Sequence, residues 1–143
     1  METETYAGMD AECATVMAHY RVGCAEIRQL HDTLFELQVD NGTVLQRSDC
    51  LPIEHFWQQH CQRPFDLLIN GDREFSFSFE AALCAGANPL QRHVAIFARA
   101  DLSYELLSNA IEINALNFPA KPIRLFRRRA DASRWLSQMA RAN

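Results

Sequence analysis

The sequence of 143 residues lacks the features that mark several large classes of protein. No apolar run approaches the roughly 20 residues that a membrane-spanning helix needs. Residues 1–12 are acidic and polar, without the basic start and apolar core of a secretory signal. We therefore expect a cytoplasmic protein with no transmembrane segment. The apolar fraction of 48% also excludes a chain that is disordered throughout.

The sequence also lacks the short motifs of common catalytic and metal sites. Its five glycines form neither a Gly-x-Gly-x-x-Gly nor a Gly-x-x-x-x-Gly-Lys phosphate loop. No Gly-x-Ser-x-Gly elbow is present to expose a nucleophilic serine. His55 and His60 are five residues apart, which directs them to different faces of a helix, whereas zinc ligands usually come in tight pairs. We predict no enzymatic activity, no metal site and no cofactor.

Cysteine and charge give two further indications. An odd number of cysteines, five, without a secretory signal favours free thiols over a disulfide framework. Residues 1–91 carry a net charge of −9, whereas residues 92–143 carry +5. This division predicts either charge complementarity within the domain or head-to-tail association. It argues against general nucleic-acid binding, because the acidic half repels phosphate.

The length predicts a single domain, which we place at residues 19–143, after a partly disordered lead-in at residues 1–18. Apolar residues alternate loosely over residues 20–30 and clearly over residues 33–39, which predicts an antiparallel hairpin joined at His31-Asp32. In the second strand, Leu34 and Glu36 face one way, and the apolar residues between and after them face the other.

From residue 48 onward, amphipathic stretches alternate with short apolar runs. The predicted helices cover residues 48–61, 80–87, 101–117 and 131–142, and the predicted strands cover residues 65–70, 92–99 and 123–126. We place Pro52 in the first turn of the first helix. Residues 75–79 are interpreted as a loop that enters a helix, and a short strand is the alternative. This order predicts an α/β domain with a mixed sheet of about five strands, packed helices and a hairpin at one edge.

The order of elements resembles that of the STAS-like (SpoIIAA-like) family of bacterial anti-sigma-factor antagonists. The resemblance runs from about Thr33 to Trp135 and is strongest where a strand and a long helix precede Pro122-Ile-Arg-Leu-Phe126 and Ala132-Ser-Arg-Trp-Leu136. It implies a single α/β domain that acts as a non-enzymatic interaction or regulatory module. Other small proteins of this type bind lipids or small molecules, which gives the alternative of a small-ligand or lipid-headgroup-binding domain.

Signalling members of that family carry a phosphorylated serine after a central strand, at the start of the next helix. By this resemblance, Ser76 and Ser78 are the candidate phospho-acceptors. Their Asp-Ser-Ser-Gly-like turn is absent here, because Asp72-Arg73-Glu74-Phe75 separates the strand from the serines. The alternative is that one of the two serines caps the helix without being modified.

Two further clusters are candidate ligand or interface sites. Phe75, Phe77 and Phe79 would line an apolar pocket or a homodimer face, or else belong to the core. Arg127, Arg128 and Arg129 follow the last strand, where ligand crevices form in open α/β sheets. They would hold an anionic small molecule, a lipid headgroup or an acidic protein partner, or else form a solvated loop. Because strand residues alternate in direction, we expect the three arginines not to converge fully.

Overall fold

In a computed structural model of the protein, Tyr6 and residues 16–142 are described, and they form eight strands and four helices. The strands are β1 (Ala18–Val22), β2 (Ala25–His31), β3 (Leu34–Val39), β4 (Thr43–Leu45), β5 (Phe65–Asn70), β6 (Phe75–Phe77), β7 (Gln91–Phe97) and β8 (Ile123–Phe126). The helices are α1 (Arg47–His60), α2 (Phe79–Cys84), α3 (Asp101–Asn117) and α4 (Arg129–Ala142). Apart from Tyr6 and residues 16–18, the lead-in expected at residues 1–18 lies outside the described residues.

Six of the strands form one mixed sheet in the order β1-β2-β3-β5-β7-β8. β1, β2 and β3 pair antiparallel, and β3, β5, β7 and β8 pair parallel. The prediction of an α/β fold with a mixed sheet and an antiparallel hairpin at one edge is confirmed. There are six strands instead of about five, because the first stretch divides into β1 and β2 at Gly23. The φ angle of Gly23 is +60°, a left-handed conformation that glycine adopts without strain.

β4 and β6 form a separate two-stranded parallel sheet, in which Val44 is opposite Ser76. The interpretation of residues 75–79 as a loop entering a helix is therefore wrong for its first part, and the short-strand alternative is correct. Pairing with β4 satisfies backbone groups that a loop would leave to water. Ser78 then caps α2, since its Oγ accepts a hydrogen bond from the backbone N–H of Ala81 at 3.1 Å.

α3 spans the predicted residues, whereas the other three helices begin or end at slightly different residues. α1 begins at Arg47, so Pro52 lies beyond its first turn. α4 begins at Arg129, two residues before the predicted start at Asp131, so Asp131 lies within its first turn. α2 ends at Cys84, because the backbone is extended at Ala85 and Gly86 has a left-handed φ of +78°. Asn114 of α3 donates hydrogen bonds to the Ala82 and Ala85 carbonyls there. None of the helices among the described residues is long and apolar enough to cross a membrane.

The large sheet has a core on each face. On one face, α1, α2 and α3 cover apolar residues that include Phe35, which lies edge-on to Trp57 with 5.3 Å between ring centroids. On the other face, α4 packs Ala132 and Leu136 against Leu68 and its neighbours. β3 supplies both cores, because alternate side chains of a strand point to opposite faces. The predicted alternation in β3 is therefore confirmed.

Candidate functional site

A cleft of about 440 Å³ opens at the carboxyl ends of β5 and β7, beside the start of α4. We call it the arginine cleft, and its lining residues are Arg28, Gln38, Asn70, Asp72, Phe97, Arg99, Arg128 and Arg129. Asn70 and Phe97 are the last residues of their strands, and Arg129 is the first residue of α4. Ligands of open α/β sheets bind at this end of the strands.

Glu36 lies buried next to the arginine cleft and holds three of its lining residues in place. Its carboxylate accepts two hydrogen bonds from the Arg129 guanidinium, at 2.6 and 2.9 Å. It also accepts one from Arg28 Nη2 at 2.7 Å and one from Asn70 Nδ2 at 2.9 Å. Two parallel bonds between a guanidinium and a carboxylate fix the orientation of both groups. Arg129 is therefore a rigid part of the site.

Glu36 is held in its ionised form by these contacts. Burial by itself raises the pKa of a carboxyl group. Hydrogen bonds and charge from Arg129, together with Asn70 and Arg28, outweigh that effect and hold the pKa of Glu36 below its ordinary value. The negative charge of Glu36 then offsets one of the arginine charges at neutral pH.

The arginine cleft carries an excess of positive charge. Its four guanidinium groups pair with three carboxylates: those of Glu36 and Asp72, and that of Asp131, which accepts from Arg128 Nε at 3.4 Å. Arg99 pairs with Asp72 at 2.9 Å, yet the side chains of Arg99 and Arg128 are 67% and 73% exposed. Their guanidinium groups are therefore accessible from solvent. The positive end of the α4 dipole lies at the same place and adds to the attraction for an anion.

Two of the three candidate arginines line this cleft. Arg128 and Arg129 do, whereas Arg127 donates to Asp101 at 2.6 Å and lies over the Tyr104 ring at 3.9 Å. The three arginines do not converge, which is the arrangement that strand alternation predicts. A solvated loop does not describe Arg129, whose side chain is only 10% exposed.

The three candidate phenylalanines have three different environments. Phe75 is buried in the core, so it is not available as an interface or ligand residue in the folded protein. Phe77 is half-buried and lines a second cavity beneath α1, α2 and α3. Phe79 is an exposed residue at the start of α2. They do not form one surface, because the segment changes from strand to helix between the second and the third.

The candidate phospho-acceptor serines lie in β6 and at the start of α2. Ser78 is the cap of α2, as the capping alternative predicts. Ser76 pairs within the small sheet through its backbone. Neither serine is among the residues that line the arginine cleft. Phosphorylation of either serine stays a prediction.

Sequence reasoning missed Arg28, Glu36, Asn70 and Arg99 as site residues. A signal was present for some of them. Glu36 is the one charged residue of the mostly apolar strand β3, and Arg99 follows the end of β7, as Arg127 follows β8. The pairing of Glu36 with Arg129 spans 93 positions, and no local pattern indicates a contact over that separation.

Comparison of the chain with protein-family models, with curated proteins and with solved structures found no match. In the part of the chain that the structure describes, no group of three or more His, Cys, Asp or Glu side chains could hold a metal ion. Four cysteines are free thiols: Cys24, Cys50, Cys61 and Cys84. Cys13 lies outside the described residues.

Proposed function

We propose that this protein is a non-enzymatic regulatory module of the STAS-like type, and that it acts by binding an anionic group in the arginine cleft. One observation carries the proposal: four arginines converge at the carboxyl ends of parallel strands, and two of them extend toward solvent. Guanidinium groups bind phosphate and carboxylate through paired hydrogen bonds. Either group can belong to a small molecule, a lipid headgroup or an acidic protein partner.

The chemistry of the lining supports binding without catalysis. The eight residues that line the arginine cleft include no serine, cysteine or histidine, which are common nucleophiles and general bases. The carboxylate of Asp72 accepts hydrogen bonds from Arg99, at 2.9 and 3.3 Å. Glu36 is buried and bonded to Arg129. Through these hydrogen bonds, Asp72 positions Arg99 and Glu36 positions Arg129.

The STAS-like assignment is part of the same proposal and rests on the order of elements. Parallel strands alternate with helices, and the Trp135-Leu136 segment of α4 packs near β8 and the sheet. The homodimer and the cytoplasmic location expected from the sequence stay predictions. Sedimentation equilibrium of the purified chain tests the homodimer.

Titration calorimetry with pyrophosphate at low ionic strength tests the arginine cleft. Arg99→Gln removes one accessible guanidinium, and we expect its Kd to rise about tenfold, since a hydrogen bond to a charged group contributes about 1.5 kcal/mol. Arg63→Gln is the matched control. Arg63 is 65% exposed, against 67% for Arg99, and it too pairs with an aspartate, but it does not line the cleft.

An equal rise of the pyrophosphate Kd in the two variants would show that binding depends only on the net charge of the protein. That result would overturn the proposal. A second titration, with a short phosphoserine peptide, distinguishes the sources of the anion. If the peptide binds more tightly than pyrophosphate, the source is a protein partner. If the two bind equally, the phosphate group alone is recognised and a small anion is favoured.

A further inference from the structure

A second cavity lies on the opposite face of the large sheet, between the sheet and the helices α1, α2 and α3. Its volume is about 80 Å³, and its walls are mostly apolar, with Trp57, Phe77 and Ile111 among them. Small-molecule sites are typically apolar cavities with a few polar groups that fix the orientation of the ligand. The polar groups of this cavity therefore decide what it can bind.

Asn114 is a polar residue in this wall with a buried hydrogen-bonding atom that has no partner. Its side chain is 5% exposed, and its Nδ2 donates to the carbonyls of Ala82 and Ala85, both at 2.9 Å. The two amide hydrogens are thereby used, and their carbonyl partners fix which side-chain atom is nitrogen and which is oxygen. The buried Oδ1 has no hydrogen-bond partner.

The two halves of this amide have different explanations. The Nδ2 bonds join α3 to the end of α2 and have a structural purpose. The Oδ1 atom makes no hydrogen bond within the protein, and a buried acceptor without a donor costs free energy. Glu54, which also lines the cavity, accepts a hydrogen bond from the Gly86 N–H at 3.3 Å. Asn114 Oδ1 and Glu54 are acceptors, and the lining also includes the Gln91 amide and the Cys50 thiol. A ligand that pairs with Asn114 Oδ1 must supply a donor.

We propose that this cavity is a second binding site, for a small neutral alcohol whose hydroxyl group donates to Asn114 Oδ1. The size is consistent, because an apolar cavity of about 150 Å³ holds benzene, and this one has about half that volume. It accommodates three or so carbon atoms and a hydroxyl group. The site does not depend on the arginine cleft, which lies on the other face of the sheet.

The isoleucine methyl groups test this proposal with an internal control. Five of the seven isoleucines line the cavity, and Ile27 and Ile113 do not. The five that do are Ile53, Ile69, Ile96, Ile111 and Ile123. In methyl NMR spectra, 2-propanol should shift these five resonances saturably and leave the other two unchanged. We expect a Kd in the millimolar range, since so few atoms limit the affinity.

Acetone is the matched probe, because it has the same number of heavy atoms as 2-propanol but no hydroxyl donor. We expect acetone to bind about tenfold more weakly, since it leaves Asn114 Oδ1 unpaired. Ala110→Leu places a larger side chain in the cavity wall and should abolish the shifts, with Ile27 reporting that the fold is kept. Equal binding of acetone and 2-propanol, or equal shifts of all seven isoleucines, would overturn the proposal.

Discussion

Two buried carboxylates, Glu36 and Asp66, anchor the face of the large sheet that α4 covers. Asp66 is completely buried at the start of β5 and accepts hydrogen bonds from the Arg92 guanidinium at 2.9 and 3.0 Å. The Tyr6 hydroxyl donates to it at 2.6 Å, and His93 Nδ1 lies 2.9 Å away. Asp66, which lies in β5, thus connects Tyr6 to the neighbouring strand β7. Burial, together with the Asp66 charge, raises the pKa of Tyr6 well above its ordinary value.

We predict that Asp66→Asn lowers the free energy of unfolding by about 3 kcal/mol, because it leaves the partly buried Arg92 without its counter-charge. Urea denaturation measures this loss. Asp32→Asn is the control, since Asp32 is exposed and its pair with Arg63 spans 3.5 Å. An exposed pair contributes about 0.5 kcal/mol or less. Similar losses in the two variants would contradict the role given to Asp66.

The same carboxylates predict how stability depends on pH. Burial raises the pKa of Asp66, but hydrogen bonds from Arg92 and Tyr6 outweigh it, so the pKa lies below its ordinary value, as it does for Glu36. The unfolded chain therefore binds protons at a higher pH than the folded protein does. Their contribution is present above about pH 4 and is lost as the pH falls further.

Unfolding measured between pH 6 and pH 3 should show this loss, and Asp66→Asn should make the dependence shallower. An unchanged slope in the variant would contradict the assignment. Sequence reasoning could not identify this network. Asp66 is a charged residue in an apolar strand, but its partners are 26 and 60 positions away, and their approach depends on the order of strands in the sheet.

Among the elements, α2 is the shortest helix, and one side chain caps its amino terminus. It has six residues, too few to form a helix alone, and Ser78 supplies its amino-terminal cap. We predict that Ser78→Ala lowers the free energy of unfolding by about 1 kcal/mol. Ser76→Ala, two residues away in β6, should cost less, since Ser76 pairs there through its backbone. Thermal unfolding measures both, and an equal cost would contradict the capping role.

The sequence predicts best the elements that are long enough for the spacing of their apolar residues to repeat. β3 alternates over six residues, and α3, which is long, spans the predicted range. β4 and β6 have three residues each, which is too short for a period to be recognised. They form because Gly42, with φ of +82°, turns the chain so that its N–H donates to the Glu74 carbonyl at 2.7 Å.

For the molecule as a whole, the division of charge along the chain is explained by contacts within the domain. Three ion pairs join the acidic first part to the basic second part: Arg92 to Asp66, Arg99 to Asp72, and Arg129 to Glu36. These pairs support the internal-complementarity alternative of the sequence analysis. The place of Arg128 and Arg129 near the end of the last strand was predictable. The convergence of Arg28 and Arg99 with them was not, because it requires the strand order.

We propose above that the residues of the arginine cleft together form one specific binding site for anions. The most direct measurement is the chemical shift of the arginine Nε–Hε groups during titration with pyrophosphate at constant ionic strength. We predict saturable shifts for the four arginines of the cleft, with one common Kd, and no such shifts for Arg63 and Arg124 on other parts of the surface. Parallel, unsaturated shifts of all exposed arginines, or none in the cleft, would contradict the claim.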